Sequence, residues 1–334
     1  MKKKVISNIL ILILAVVLFC AAFVLTWTHL KKESLLNSKL KNMNEDLENI
    51  EKVSSYNNPI IPNGFHKLET DSATWVLDEE ENPKGWNNGL VIEDDIGNQF
   101  VWVPYDKSYQ NGYDKLKDYL EDEFQVKKQI KKYGGFYIAR FEAGVPIDRQ
   151  NTLQNISVDT SDNEGVTVSK KGVIPWYYIS SENANKNAKL MYKDNLYVDG
   201  NLLNIKQRAI VDEWLKNSGY DFNNLKEYGN YSNSKFKFNC LYSNDLGKNY
   251  KLENGIQEKN ENIILTTGAI EQFKVNNIYD YFGNVGESTK SIGQDSKYIC
   301  YSCGGYYDNS DKTDNYTHAW ANSKTGFRVY LIIK

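Results

Sequence analysis

Polar and apolar positions divide the chain into three stretches. Ile9 to Leu25 is an unbroken apolar run without a charge, preceded by Lys2, Lys3 and Lys4. With its flanks it reaches about 20 residues, or roughly 30 Å of helix, the thickness of a hydrocarbon core. The expectation is a transmembrane helix over 9–28, with residues 1–8 in the cytoplasm and Trp27 at the interface. A cleaved signal peptide is the rival reading, with Cys20-Ala21-Ala22 as its cleavage site. Such peptides have an apolar core of only about 7–15 residues, whereas this run continues past that site. Phe19 also stands where lipoprotein processing wants a small residue. An uncleaved single-pass anchor is therefore expected, placing the C-terminal domain outside the cytoplasm, because long domains translocate regardless of flanking charge.

Leu36, Leu40, Met43, Leu47 and Ile50 follow at spacings that alternate between four and three. This seam predicts a helical stalk over 31–55 that either dimerises through residues 36–50 or stays a lone amphipathic helix. Asn57-Asn58-Pro59 ends it, and residues 59–334 form the third stretch. There the periods are short. Gln99 to Val103, Gly135 to Glu142, Lys297 to Tyr301 and Gly326 to Ile333 read as strands, the last a central one because it is nearly all apolar after Arg328. Asn204 to Asn217 reads as a helix capped by Asn204 and ended by Gly219, its apolar face made of Ile205, Ala209, Ile210, Trp214 and Leu215. Ser180 to Leu190 is a second helix, and Lys115 to Lys132 a charged helical insertion on the surface. One α+β domain accounts for these elements.

The net charge of −3 supplies no positive field, and basic residues form no stripe among the aromatics, so nucleic-acid binding is not expected. The 24 Tyr, 7 Trp and 13 Phe suit ligand surfaces, although an A/T-rich genome would also enrich tyrosine. The three histidines, His29, His66 and His318, are too scattered for an iron or zinc centre. No G-x-S-x-G elbow is present. Outside the cytoplasm, Cys240, Cys300 and Cys303 are expected to give one disulfide and a spare thiol. Arg328 enters an apolar strand, so its guanidinium needs acceptors, expected from a carboxylate or carbonyls of the Asp280–Glu287 region.

Several separated segments resemble the formylglycine-generating (sulfatase-modifying) enzyme family. Asn277-Ile278-Tyr279-Asp280-Tyr281-Phe282-Gly283-Asn284-Val285-Gly286-Glu287 is similar to the family block N-x-Y-D-x-x-G-N-V-W-E-W, with Gly286 and Ser288 where the family has tryptophans. Gly304-Gly305 resembles its R-G-G-S turn, and Gly326-Phe327-Arg328-Val329 its terminal G-F-R strand. Upstream, Asn98 to Pro104 and Gly134 to Glu142 resemble early strands of a bacterial surface-protein branch, and Leu203 to Leu215 sits where the family has its L-P-T-E-A-E-W-E helix. The resemblance implies a decorated C-type lectin-like fold of short strands and a few packed helices. It also implies calcium on Asn284, Val285 and Glu287, whose oxygens can converge on a hard cation.

The oxidase branch of that family binds copper through a cysteine pair placed after the Gly-Gly turn. Here Cys300 and Cys303 precede it, so neither copper nor iron is expected. The remaining use of such a fold is binding. Tyr306 to Asn322 has the Tyr, Asn, Ser and Asp composition of adaptable recognition loops, and the resemblance makes Tyr306, Tyr307, Asn309, Tyr316, His318 and Trp320 ligand-surface candidates. The functional expectation is a membrane-anchored extracellular binding or adhesion module for a protein or glycan. A divergent oxidase acting on proteins and a structural subunit of a cell-envelope assembly are the alternatives.

Overall fold

The computed structural model describes residues 27, 31, 59–77, 84–106, 123–146, 164–247, 249–292, 298–311, 316–318 and 324–334. The chain divides into two units, Met1–Glu51 and Lys52–Lys334. In the first, Trp27 and Lys31 are helical and exposed. The rest of the expected membrane helix and stalk lies outside the described residues. Among the described residues no helix is long and apolar enough to cross a membrane.

The second unit is mixed α+β. Its main elements are β1 (Phe65–Leu68), β2 (Val91–Asp94), β3 (Gln99–Pro104), α1 (Glu123–Tyr133), β4 (Gly135–Ala139), α2 (Ser181–Leu190), β5 (Val198–Leu202), α3 (Ile205–Asn217), β6 (Gly286–Ile292), β7 (Tyr298–Cys303), β8 (Tyr316–His318), β9 (Thr325–Phe327) and β10 (Val329–Ile333). They build a six-stranded sheet in the order β1-β2-β3-β4-β10-β5 and a four-stranded sheet in the order β8-β7-β6-β9. Every pairing in the larger sheet is antiparallel.

Alternation fixes its two faces. Phe100, Trp102, Tyr137, Ala139, Val198, Leu202, Val329, Leu331 and Ile333 form one core with Ala184 and Ala188 of α2. Val101, Val103, Phe136 and Ile138 are as fully buried on the other face, where α1 and α3 pack. Covering both faces explains why β3, β4 and β10 read as nearly continuous apolar runs rather than alternating ones.

The helices start where side chains satisfy their free amides. Ser180 accepts from the Asn183 amide to begin α2. Asn204 and Gln207 exchange bonds in a capping box at α3, a device that contributes about 1 kcal/mol. Gly219, at φ +94°, follows the end of α3 and can adopt a left-handed turn that a side chain would strain. Contrary to expectation, α1 is no surface insertion. Val126 and Ile130 are buried, and the Gln129 side chain both donates to the Ile333 carbonyl and accepts from its amide.

Candidate functional site

Residues 276–287 form a turn whose backbone and side chains are held by buried polar contacts. Asn276, Asn277, Asp280 and Asn284 have φ of 41°, 65°, 53° and 58°, and Gly283 has 69°. Asn, Asp and Gly tolerate the left-handed region best, which is why this block is written in them. Phe282–Gly283 pairs in parallel with Gly229–Asn230, so close that a Cβ at Gly283 would lie 2.4 Å from the Asn230 carbonyl oxygen.

Arg328 and Arg208 grip this turn from outside. Arg328 sits between β9 and β10, where the chain passes from the smaller sheet into the larger. Its Nε donates to Glu287 Oε1 at 2.7 Å, Nη1 to the Ala139 carbonyl at 2.9 Å, and Nη2 to the Tyr279 and Asp280 carbonyls at 2.9 and 3.2 Å. Arg208, on α3, donates to Glu287 Oε2 at 2.7 Å and to the Tyr281 carbonyl at 2.8 Å. It also lies 3.5 Å from the Tyr281 ring centroid. All three charged side chains are at most 2 % exposed. A guanidinium buried this deeply must place its donors on oxygens, and most of those oxygens belong to the turn itself.

Glu142 enters from the segment after β4. Its carboxylate accepts from Asn284 Nδ2 at 2.8 Å and from the Val285 amide at 3.1 Å. Burial, reinforced by the charges of Asp280 and Glu287, holds its pKa well above the ordinary carboxylate value. Burial likewise raises Asp280 to about 6, and its Oδ2 accepts from the Gly268 amide at 2.5 Å.

Of the three residues expected to share a calcium ion, Asn284 and Val285 both donate to the Glu142 carboxylate, whereas Glu287 faces the two arginines. Asn284 Oδ1 accepts from the Leu265 amide at 2.9 Å and from Asn230 Nδ2 at 3.2 Å. Both oxygens of Glu287 face guanidinium groups, and its cationic neighbours belong to the chain itself. Among the described residues no three His, Cys, Asp or Glu side chains gather in a metal-holding group.

The ligand-surface candidates separate as well. Tyr306 and Asn309 are half-buried at the outer turn, with the Tyr306 hydroxyl donating to Ser302 Oγ at 2.8 Å. Tyr307 is only 3 % exposed and belongs to an interior cluster with Ile174, Tyr177, Ile264 and Val285, which removes it from any outer surface. Tyr316 and His318 lie on the edge strand β8, in register with Cys303 and Tyr301. Trp320 lies outside the described residues. Gly304 and Gly305, at φ +86° and +78°, allow the turn to pass Tyr231, whose hydroxyl donates to the Gly304 carbonyl at 2.5 Å.

The expected disulfide does not form. Cys240 and Cys303 are both free thiols, so no pair among Cys240, Cys300 and Cys303 is joined. Cys300 and Cys303 both lie on β7, and residues three apart on an extended strand are separated by about 10 Å, beyond the roughly 7 Å that a disulfide can span. Burial pushes the Cys240 thiol up to about 11 and Cys303 up to about 12, which keeps both protonated and unreactive at neutral pH.

Sequence reading missed Arg208, Glu142 and Asn230. A charge at position 208 inside an otherwise apolar helix face was the available signal for the first. Nothing local marks the other two. The class defined by fold and site is thus a mixed α+β domain whose interior turn is clamped by two buried arginines. Comparison adds little to it. No family profile and no curated protein matches the chain. Among solved structures, one described as the crystal structure of CarF aligns with 13 % identity and a TM-score of 0.33, covering 60 % of this chain and 87 % of that one. A likeness of that strength carries no argument about fold or function.

Proposed function

We propose that this chain is a non-catalytic binding module on a C-type lectin-like scaffold of the formylglycine-generating type, anchored by residues 9–28 and facing out of the cell. What supports the reading is the construction of the turn at 304–311. Its backbone is pinned from within: the Gly283 amide donates to the Gly304 carbonyl at 2.7 Å, the Tyr307 amide to Asn284 at 3.0 Å, and the Ser232 amide to Asn309 at 2.9 Å. Asn233 Nδ2 donates to Asp311 Oδ1 at 2.8 Å. Tyr306, Asp308, Asn309 and Ser310 meanwhile remain half-buried at its outer side. Polar and aromatic side chains on a backbone already fixed lose little entropy when they bind. The buried charges, by contrast, are committed to holding the turn in place.

The ligand class that fits is a glycan or a polar protein surface. Purified full-length chain probed on glycan and peptide arrays should show saturable binding. That binding should fall at least tenfold in Tyr306→Ala and Asn309→Ala without a change in melting temperature. Array binding that both variants retain in full would refute the assignment of this turn.

A further inference from the structure

Behind the outer turn lies a second polar feature. Ile174, Tyr177, Ile264, Val285 and Tyr307 form a buried cluster against which Tyr250 packs. Five separate pieces of chain meet there: the segment leading to α2, the loop around 243–250, the short strand at Ile264–Leu265, the turn carrying Val285, and the 304–311 turn. The loop is closed at its base by the Tyr242–Lys251 bridge. It is latched from inside by the Tyr177 hydroxyl, which donates to the Gly247 carbonyl.

The Tyr250 and Tyr307 hydroxyls are both buried and have no hydrogen-bond partner among the described residues. Asp308 adds a third such atom, Oδ1, while its Oδ2 pairs with Lys324 at 2.5 Å. Isolated orphans of this kind are rare, because a buried polar group without a partner loses its hydration and gains nothing in exchange. Two in one apolar cluster, each on a different chain segment, call for a shared partner. The phenols do not pair with each other. A water molecule offers two acceptor sites and two donors, and so can receive both phenolic O–H groups while donating onward to a carboxylate oxygen. Buried waters typically make about three such bonds.

We propose that the Tyr250 and Tyr307 hydroxyls bind ordered water inside this cluster, forming a built hydration site that ties the 243–250 loop to the 304–311 turn. The site stands independently of whether the outer turn takes a ligand. Phenylalanine substitution tests it through the sign of its effect. If the hydroxyls hold water, Tyr250→Phe and Tyr307→Phe each strand that water and lower the melting temperature of the full-length chain by about 2–4 °C. If the hydroxyls are dry orphans, each substitution removes a liability, and an unchanged or raised melting temperature overturns the proposal. A high-resolution crystal structure provides the second readout. Ordered density within hydrogen-bond distance of both Oη atoms is expected, and two phenols in direct contact with no density between them would overturn the proposal equally.

Discussion

Arg328 Nε meets Glu287 Oε1 at 2.7 Å across 41 residues of chain. Glu287 stands on β6, in register with Gly326 of β9, and Arg328 follows β9 by a single residue before the chain enters β10. The contact thus joins the two sheets at the point where the chain crosses between them. A buried pair adds little net stability over apolar residues of the same shape, but removing one partner strands the other charge.

Glu287→Gln should therefore destabilise the domain by about 3–5 kcal/mol, since it leaves two buried guanidiniums facing an amide. Arg328→Lys should lose most of the same energy, because a single ammonium cannot span Glu287 and the Ala139, Tyr279 and Asp280 carbonyls. Urea unfolding at neutral pH measures both. A loss below about 1 kcal/mol in either variant is incompatible with the clamp.

With both Glu287 oxygens held by arginines, calcium should have little purchase on the 284–287 turn. Adding millimolar calcium or chelator to the full-length chain is expected to leave the melting temperature unchanged. A rise of several degrees with calcium, abolished in Glu287→Gln, would place a cation there after all.

The raised carboxyls make stability depend on pH in a definite sense. Folded Asp280 holds its proton up to about pH 6, whereas the unfolded chain releases it near about 4. Its contribution is therefore complete below about pH 4 and is lost as pH rises through about 6; Glu142, also raised, extends the loss to higher pH. Asp280→Asn stays uncharged throughout. The stability of the native chain relative to this variant should fall between about pH 4 and about pH 7, and urea midpoints measured across that range that diverge in the opposite direction would defeat the argument.

Asn284 combines a left-handed backbone with bonds to Leu265, Asn230 and Glu142. Asn284→Asp is isosteric but replaces the donor to Glu142 by an oxygen, setting two carboxyls against each other. We expect it to cost more than Asn284→Ala at neutral pH, and to recover in mild acid as a carboxyl takes up a proton. Thermal melts at the two pH values decide it, and a variant insensitive to pH would show that Glu142 does not face this amide.

Cys303 should resist a thiol reagent in the native state at mildly alkaline pH and react promptly in urea, with half-buried Cys240 reacting at an intermediate rate. Peptide mapping after labelling assigns each thiol. Rapid native labelling of Cys303 would be inconsistent with its burial on β7.

How much of this was legible beforehand varies with the range of the forces involved. Asn204 and Ser180 announce their helices because capping is satisfied within three residues. The central place of β10 follows from its apolar run, and the reach of Arg328 toward the 280–287 segment from the plain need of a buried guanidinium for oxygens. Burial of Tyr307 was not legible: its neighbours along the chain are half-exposed, and only the packing of Ile174, Ile264 and Val285 against it distinguishes the two faces of the turn. The cysteines misled because spacing in sequence says nothing of geometry until β7 is known to be extended.

Sequence by itself determined the local elements and the requirement that Arg328 find partners. Tertiary structure alone decided which partners those are, that Arg208 shares Glu287 with it, and that Glu142 bonds Asn284 and Val285 of the same turn. The physical reason is distance along the chain: capping and turn preferences act over a few residues, whereas neutralising a buried charge recruits whatever segment the fold brings within about 3 Å.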